Sequence, residues 1–294
     1  MKITQIASII LILTSCYSPR YVYSPVTQNI PLINKKNDVK VAGYLAGGGS
    51  GTNNLSSPGA YNLGLDLHTA YAVTDHFAVM LNQYNRWERN GRNNDVFAGD
   101  SILILYKRSL TEMGVGYYKS MNDHNSCFQL FGGFATGKFM INESSARNRT
   151  ANGRFHTSHV NKIFIQPSII SGMTKNFTAA FSSRFSMVYY DKINTDYSDA
   201  ELKQYFLTDL SASPVFFWEP TMSYMFGFKK LKGIKVETQL GIAILMNRRF
   251  VDYRTLNLAI GVISDLRFKK IHDFKGGAGD GKDSTGKGGT LKLK

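Results

Sequence analysis

Apolar and polar positions alternate along Ile234 to Leu245, IKVETQLGIAIL, with the two-residue period of a β-strand. Ile234, Val236, Thr238, Leu240, Ile242 and Ile244 share one face, and Lys235, Glu237, Gln239, Gly241 and Ala243 share the other. The first face is lipophilic. The second carries two charges, an amide and two very small residues, which is too polar for a sandwich core and suits the crowded lumen of a small barrel.

The same pattern recurs along the chain. It predicts strands near Val39–Ala46, Tyr61–Val73, Phe77–Arg86, Leu110–Tyr118, Cys127–Met140, Val160–Gly172, Phe177–Tyr189, Val215–Phe228, Ile234–Leu245 and Leu256–Phe268, ten in all, the third with poor alternation. Glu88 to Arg108 reads as largely a polar loop in which Ile102–Tyr106 could extend the following strand. Gly47–Gly59, Asn142–Ser158 and Asp191–Ala212 read as further long loops, and Ser198 to Glu201 has the spacing of a capping box that could start one short helix. Short and long connections alternate, as periplasmic turns and extracellular loops do in outer-membrane barrels, which would put both chain termini in the periplasm. Tyr71, Phe77, Tyr117, Phe128, Phe177, Phe228 and Phe268 fall at the short-turn ends, and Tyr61, Tyr189, Phe216 and Trp218 at the long-loop ends, as two aromatic girdles would. A soluble sandwich or lipocalin-like barrel would turn a polar face outward, whereas here the face opposite the polar one carries Phe, Leu, Ile, Met and Tyr. The expected fold is therefore all-β, an antiparallel transmembrane β-barrel of about ten strands over residues 38–268.

The flanks add an address. MKITQIASIILILTSC has a basic Lys2, an apolar run and small residues before a cysteine, the layout of a secretory signal. Leu13, Thr14, Ser15 and Cys16 match a lipobox, so residues 1–15 are expected to be removed and Cys16 acylated, with palmitate among its chains. The apolar run is shorter than the ~20 residues of a spanning helix. Residues 16–37, with Pro19, Pro25 and Pro31, read as an extended, lipidated tether, and the Lys- and Gly-rich residues 269–294 as a disordered tail. Cys127 is then left without a partner, so no disulfide framework is available despite export. The net charge of +14 in 294 residues would fit nucleic acid, but export points instead to anionic lipid and lipopolysaccharide. A mean hydropathy of -0.20 is no objection, because barrels average apolar exteriors with polar lumens.

The lipobox ending at Cys16, YSPVTQNIPLINKKND before the first strand, AYAVTDHFAV from Ala70 to Val79, EMGVGYY from Glu112 to Tyr118 and the terminal aromatic Phe268 together resemble the small lipid-anchored outer-membrane β-barrel proteins of the Bacteroidota type. The resemblance implies insertion by the outer-membrane assembly machinery, for which Phe268 resembles the signal, and a barrel of mostly unassigned activity. No acidic residue follows Cys16 directly, a departure from the surface-export signal of some such lipoproteins that leaves the leaflet of the anchor open.

No residue set specifies a reaction, cofactor or metal. Omptin-like proteases use paired aspartates and an Asp/His pair near the rim; Asp191, Asp196 and Asp199 share one loop here but match no such motif. His156, Thr157 and Ser158 faintly resemble the His-x-Ser of lipid A deacylases, without a Glu to orient the histidine, and His156 with His159 lacks companions for a metal set. Lys40, Asp66, Glu112, Arg184, Glu219, Lys235 and Glu237 all point inward by parity. They could line a narrow channel, but mixed signs in a small lumen pair more readily into a structural network, with Lys235 and Glu237 facing Glu219 and Lys40. The expected role is non-enzymatic, structural or binding, through loops, tether or tail, with envelope proteins as possible partners; a narrow channel and an envelope enzyme are the alternatives.

Overall fold

Ten antiparallel strands, each hydrogen-bonded to its sequence neighbour, close into a barrel where the last pairs with the first. The computed structural model describes residues 19–49, 61–94, 101–121, 125–145, 153–172, 174, 176–228, 230–231, 233–247 and 250–267. The strands are β1 Asp38–Gly49, β2 Tyr61–Ala72, β3 Phe77–Asn94, β4 Ser101–Met121, β5 Ser126–Ser145, β6 Arg154–Ser171, β7 Phe177–Thr195, β8 Val215–Gly227, β9 Ile234–Ile242 with a continuation Ile244–Leu245, and β10 Leu256–Arg267. A short helix, α1 Asp199–Gln204, lies between β7 and β8 and starts with the expected capping box: Glu201 N–H donates to the Ser198 hydroxyl, and the Glu201 carboxylate accepts from Ser198 N–H. No described helix is long and apolar enough to cross a membrane, which says nothing about crossing by strands.

The strands keep one parity inside and the other outside, apart from register shifts near the long-loop ends of β3 and β7. Outward, Leu63, Leu65, Leu67, Val79, Leu81, Val115, Ile163, Ile165, Phe181, Phe185, Leu240, Ile242, Leu258, Ile260 and Val262 are exposed as a continuous apolar wall. Such a surface is unstable in water and is what a bilayer solvates. Tyr71, Phe77, Tyr117 and Phe177 are exposed at its short-turn rim, and Tyr61, Tyr189, Phe216 and Trp218 at its long-loop rim.

The structure corrects several strand ends. β3 and β4 run well into the stretch read as a polar loop, β5 and β6 into 142–158, and β7 to Thr195. The added residues show no clean two-residue period: β3 adds mostly polar residues on both faces, and β4 adds the unbroken apolar run Ile102 to Tyr106, so hydropathy alone does not mark these ends. β9 is interrupted at Ala243, whose N–H bonds the Thr255 carbonyl while Ile244 and Leu245 pair with β8. Pro167 sits in β6 where the β6–β7 ladder passes from Ile165–Phe185 to Ser168–Ser182, so its missing N–H is not called upon. The expected residue Phe268 and the tail 269–294 lie outside the described residues, as do the signal and Cys16.

Large rings lie over cross-strand glycines inside the barrel. Tyr44 of β1 faces Gly261 of β10, and a Cβ on Gly261 would collide with the Tyr44 ring and crowd the Gly43 carbonyl oxygen. Gly261→Ala should therefore displace Tyr44 and lower unfolding stability by roughly 1–3 kcal/mol, the cost of overpacking, measurable as a lower temperature for loss of the compact band in unheated gels.

Candidate functional site

Residues 20–33 lie buried inside the barrel. This is the principal correction to the sequence reading: the stretch taken for a free tether fills the lumen end to end. Its base is at the short turns, where Asn34 N–H and Lys35 N–H donate to Asp38, Lys36 N–H donates to Asp75 of the β2–β3 turn, and Ser120 donates to Asn34. Its top is at the long loops, where Arg20 N–H bonds Asp252, its guanidinium pairs with Glu143 near the end of β5 and stacks on Tyr205.

The segment has almost no ladder of its own beyond one bridge between Tyr23 and Tyr253. Its buried backbone must find partners elsewhere, and lumen side chains supply them. Tyr106 donates to the Pro19 carbonyl, Arg108 to Tyr21, Tyr190 to Val22, Gln239 to Gln28, Gln166 to Asn29, Lys40 to Ile30, Gln129 to Pro31 and the Cys127 thiol to Ile33. Plug side chains complete the set: Thr27 Oγ1 donates to Asp66 at 2.5 Å, Gln28 to the Glu219 carbonyl at 2.6 Å, Asn29 to Asn82 at 2.8 Å, and Tyr23 to Glu219 Oε1 at 2.8 Å. Strands β1 to β9 all contribute a contact. Room for the chain comes from small inward residues, and Ile30, Leu32 and Ile33 share one buried apolar cluster with Ala42, Ala46, Ala70, Ala72 and Ala78. Tyr21, Val22 and Tyr23 pack on Ile104, Tyr106, Phe139 and Phe217 above, under Tyr197, Leu207 and Leu210 of the α1 loop.

The predicted lumen charges all face inward, and the structure divides them into groups. Lys40 lies 3.6 Å from Glu237, which also accepts from Tyr44, Ser223 and, at 2.7 Å, Gln239. Glu112 receives both Arg184 nitrogens at 3.1 and 3.2 Å, with Lys162 at 3.3 Å. Asp66 forms a two-point pair with Arg86. Glu219 accepts from Tyr23 and from Ser186 at 2.5 Å, so it is not the partner of Lys235 that opposite sign predicts. Lys235 instead donates to the Thr174 carbonyl and the Thr178 hydroxyl, each at 3.2 Å, near the short-turn rim.

Sequence reasoning missed an upper group in which Glu88 is held by Arg108 and by Arg254 Nε at 2.9 Å, and Asn90 by Arg254 Nη2 at 3.0 Å. The signal was present: Ala78, Met80, Asn82, Tyr84, Arg86, Glu88 and Asn90 are one unbroken parity, cut short by ending the strand at its first polar outward residues. Between plug and wall, beside Val22, Tyr23, Tyr84 and Phe139, there is a cavity of about 50 Å³, room for a few waters.

The chemistry-bearing motifs separate. His156 and Ser158 are buried inside, while His159 is outside, so neither the deacylase likeness, which needs a lipid-facing serine, nor a His156–His159 metal pair is assembled. Outside, above the apolar wall, His159 Nδ1 meets Asp191 at 2.8 Å and Nε2 meets the Thr136 hydroxyl at 3.0 Å. That order resembles an acid, an imidazole and a hydroxyl in relay, but the single hydroxyl proton of Thr136 goes to Asn161 Oδ1 at 3.0 Å, and Asn161 in turn binds Asp191. The result is a closed polar staple across β5, β6 and β7. Asp196 is likewise occupied, accepting from Phe155 N–H. Among the described residues, no group of three His, Cys, Asp or Glu could hold a metal ion.

On α1, slight burial raises the Glu201 carboxyl, but bonds from Ser198 and Arg154 outweigh it and hold it below the usual carboxylate range. A depressed carboxyl stabilises above its unfolded value and loses that contribution as pH falls through its folded one, so protease resistance of the α1 loop should persist below the ordinary Glu range and then fail. Arg154→Ala, at an exposed ion pair, should change global stability by less than about 1 kcal/mol, whereas Ser198→Ala, which removes the cap, should speed cleavage of the loop at neutral pH.

No protein-family model matches the sequence, and no curated protein matches it. Among solved structures the chain is similar to the translocator domain of the autotransporter NalP from Neisseria meningitidis, at 10% identity over 79% of this chain and 88% of that one, with a TM-score of 0.43. It is also similar to an outer membrane channel from Pseudomonas putida F1, at 9% identity over 81% and 100% of the chains with a TM-score of 0.38, and to a bacterial polysaccharide outer membrane secretin, at 8% identity over 81% and 100% with a TM-score of 0.24. The assignment as a closed ten-stranded barrel stands on its own strand pairing.

Proposed function

We propose that this chain is an outer-membrane β-barrel lipoprotein of the bacterial envelope, non-enzymatic and non-conducting, whose work is done by what it holds at its long-loop rim. The observation that carries this reading is the plug: residues 20–33 occupy the whole height of the lumen and are bonded by side chains from β1 to β9. A channel needs a continuous polar path, and an intraluminal enzyme needs a pocket open to substrate; the plug supports neither. Lys107 of β4 and Lys138 of β5 are exposed on the outward face, on the long-loop side of Met113 and Phe134, where they suit the phosphates of lipopolysaccharide. The short-turn side is periplasmic in this reading, and Cys16 carries the acyl anchor, as in the Bacteroidota-type lipoproteins the sequence resembles.

Two measurements test it. Purified protein in planar bilayers should show no discrete openings; steady openings of the wild-type chain would return the channel reading. Palmitate incorporation should be lost in Cys16→Ala while heat-modifiable migration is kept, and a soluble, unlabelled wild-type protein would end the lipoprotein reading. Unchanged lipid A and intact peptide substrates are the expected results for activity assays.

A further inference from the structure

The plug also bears on the leaflet of the anchor. The barrel strands begin and end at the short turns, with Asp38 pairing with Arg267, but the described chain leaves the lumen at the other end. β5 records both levels of the plug: Cys127 donates to the Ile33 carbonyl near one end, and Glu143 pairs with Arg20 near the other. At about 3.3 Å of rise per residue and a tilt of about 40°, that length of β5 spans about 40 Å of height. The apolar band of such barrels is about 25 Å. Arg20 therefore lies beyond the band on the long-loop side.

The exit is also level with the outer rim. The Pro19 carbonyl accepts from Tyr106, which accepts from Asn90, and Asn90 follows Arg89, the β3 partner of Tyr61. Tyr61 is the last residue of β2 at that end and an exposed outward aromatic. Only three peptide steps separate Pro19 from Cys16, a reach of about 11 Å fully extended. That reach starts level with the end of β2 at Tyr61. It is far short of the height needed to bring an acyl chain back to the short-turn leaflet.

We infer that the N-terminal segment is threaded outward through its own barrel, so that acylated Cys16 anchors in the outer leaflet beside the long-loop rim and the mature N-terminus faces the cell exterior. The inference rests on the proposed outer-membrane lipoprotein and adds the side on which the lipid sits. It replaces the expectation that both termini are periplasmic: the C-terminal end of β10 lies at the short turns, and the N-terminal end of the plug does not.

The test places single cysteines in the full-length chain and reacts intact cells with a membrane-impermeant maleimide. Ser18→Cys reports the exit, Lys203→Cys of α1 reports the long-loop side, and Asp75→Cys reports the short turns. The unsubstituted chain, reacted in parallel, sets the background of the native thiols, of which Cys127 is buried. Ser18→Cys is expected to label as strongly as Lys203→Cys in intact cells, with Asp75→Cys labelling only after the outer membrane is permeabilised. Labelling of Ser18→Cys only after permeabilisation, alongside Asp75→Cys, would overturn the threading. Palmitate labelling of the same variants is read in parallel: its absence defeats the lipid anchor itself, and its presence with a periplasmic Ser18→Cys defeats only the outward placement.

Discussion

Glu112→Gln should destabilise the barrel by about 3–5 kcal/mol, the cost of breaking a buried charge pair from one side. Glu112 is fully buried and is the only acid within pairing distance of both Arg184 and Lys162 among the described residues, while also accepting from Asn82 at 2.9 Å and Tyr84 at 3.1 Å. Glutamine keeps the shape and can still accept hydrogen bonds, so the loss isolates charge: two cations remain in the lumen with no anion between them. Lys162→Met alone should cost far less, since the two-point Arg184–Glu112 pair survives. Combining it with Glu112→Gln should recover part of the loss, because only one cation is then unbalanced. Urea unfolding in detergent micelles, followed by heat-modifiable migration, measures each variant; a Glu112→Gln loss under 1 kcal/mol would show that the network is solvated rather than dry.

That network shows how legible the chain is. Strand parity was readable wherever the outward face meets lipid, as in Ile234 to Ile242, because lipid demands apolar residues on one side and the lumen polar ones on the other. Parity faded where β3 to β7 rise beyond the apolar wall: Asn85, Ser109 and Lys138 outside are as polar as Arg86, Arg108 and Glu88 inside, and hydropathy cannot separate two wetted or charge-paired faces. The partners of Lys235 and Glu219 were beyond reach for another reason. Opposite sign gives attraction but not height, and Glu219 was satisfied instead by Tyr23, a residue assigned to a different part of the molecule.

The plug was the least legible element because it obeys neither period. A strand or helix satisfies its backbone by a ladder and so writes a repeat into its side chains. Residues 20–33 satisfy theirs through Gln129, Gln166, Gln239, Lys40 and tyrosines of the wall, so the sequence of the segment itself needs only the right volume and a few polar contacts. The trace lay in the barrel, in inward amides such as Gln129, Gln166 and Gln239 and inward alanines such as Ala42, Ala70 and Ala78.

Exchanging residues 20–33 for a Gly/Ser segment of equal length should turn a silent barrel into a conducting one. Such a segment keeps the backbone carbonyls but loses Val22, Val26, Ile30, Leu32 and Ile33, all buried, each worth roughly 1.5–3 kcal/mol of apolar burial. It also loses the Arg20–Glu143 pair and the bonds of Thr27, Gln28 and Asn29. Flexible glycine and serine cannot offset the entropy of being held in an extended path with so little burial in return, so the segment leaves and water enters. The opened lumen would be lined by Lys40, Arg86, Arg108, Lys162, Arg184 and Arg254 against Asp66, Glu88, Glu112, Glu143, Glu219 and Glu237, balanced in sign. Openings should therefore discriminate weakly between small cations and anions, and Glu219→Gln or Lys40→Gln in the exchanged chain should tilt that preference in opposite directions. An exchanged chain that still migrates as a folded barrel and stays silent would mean that the wall side chains close the lumen unaided.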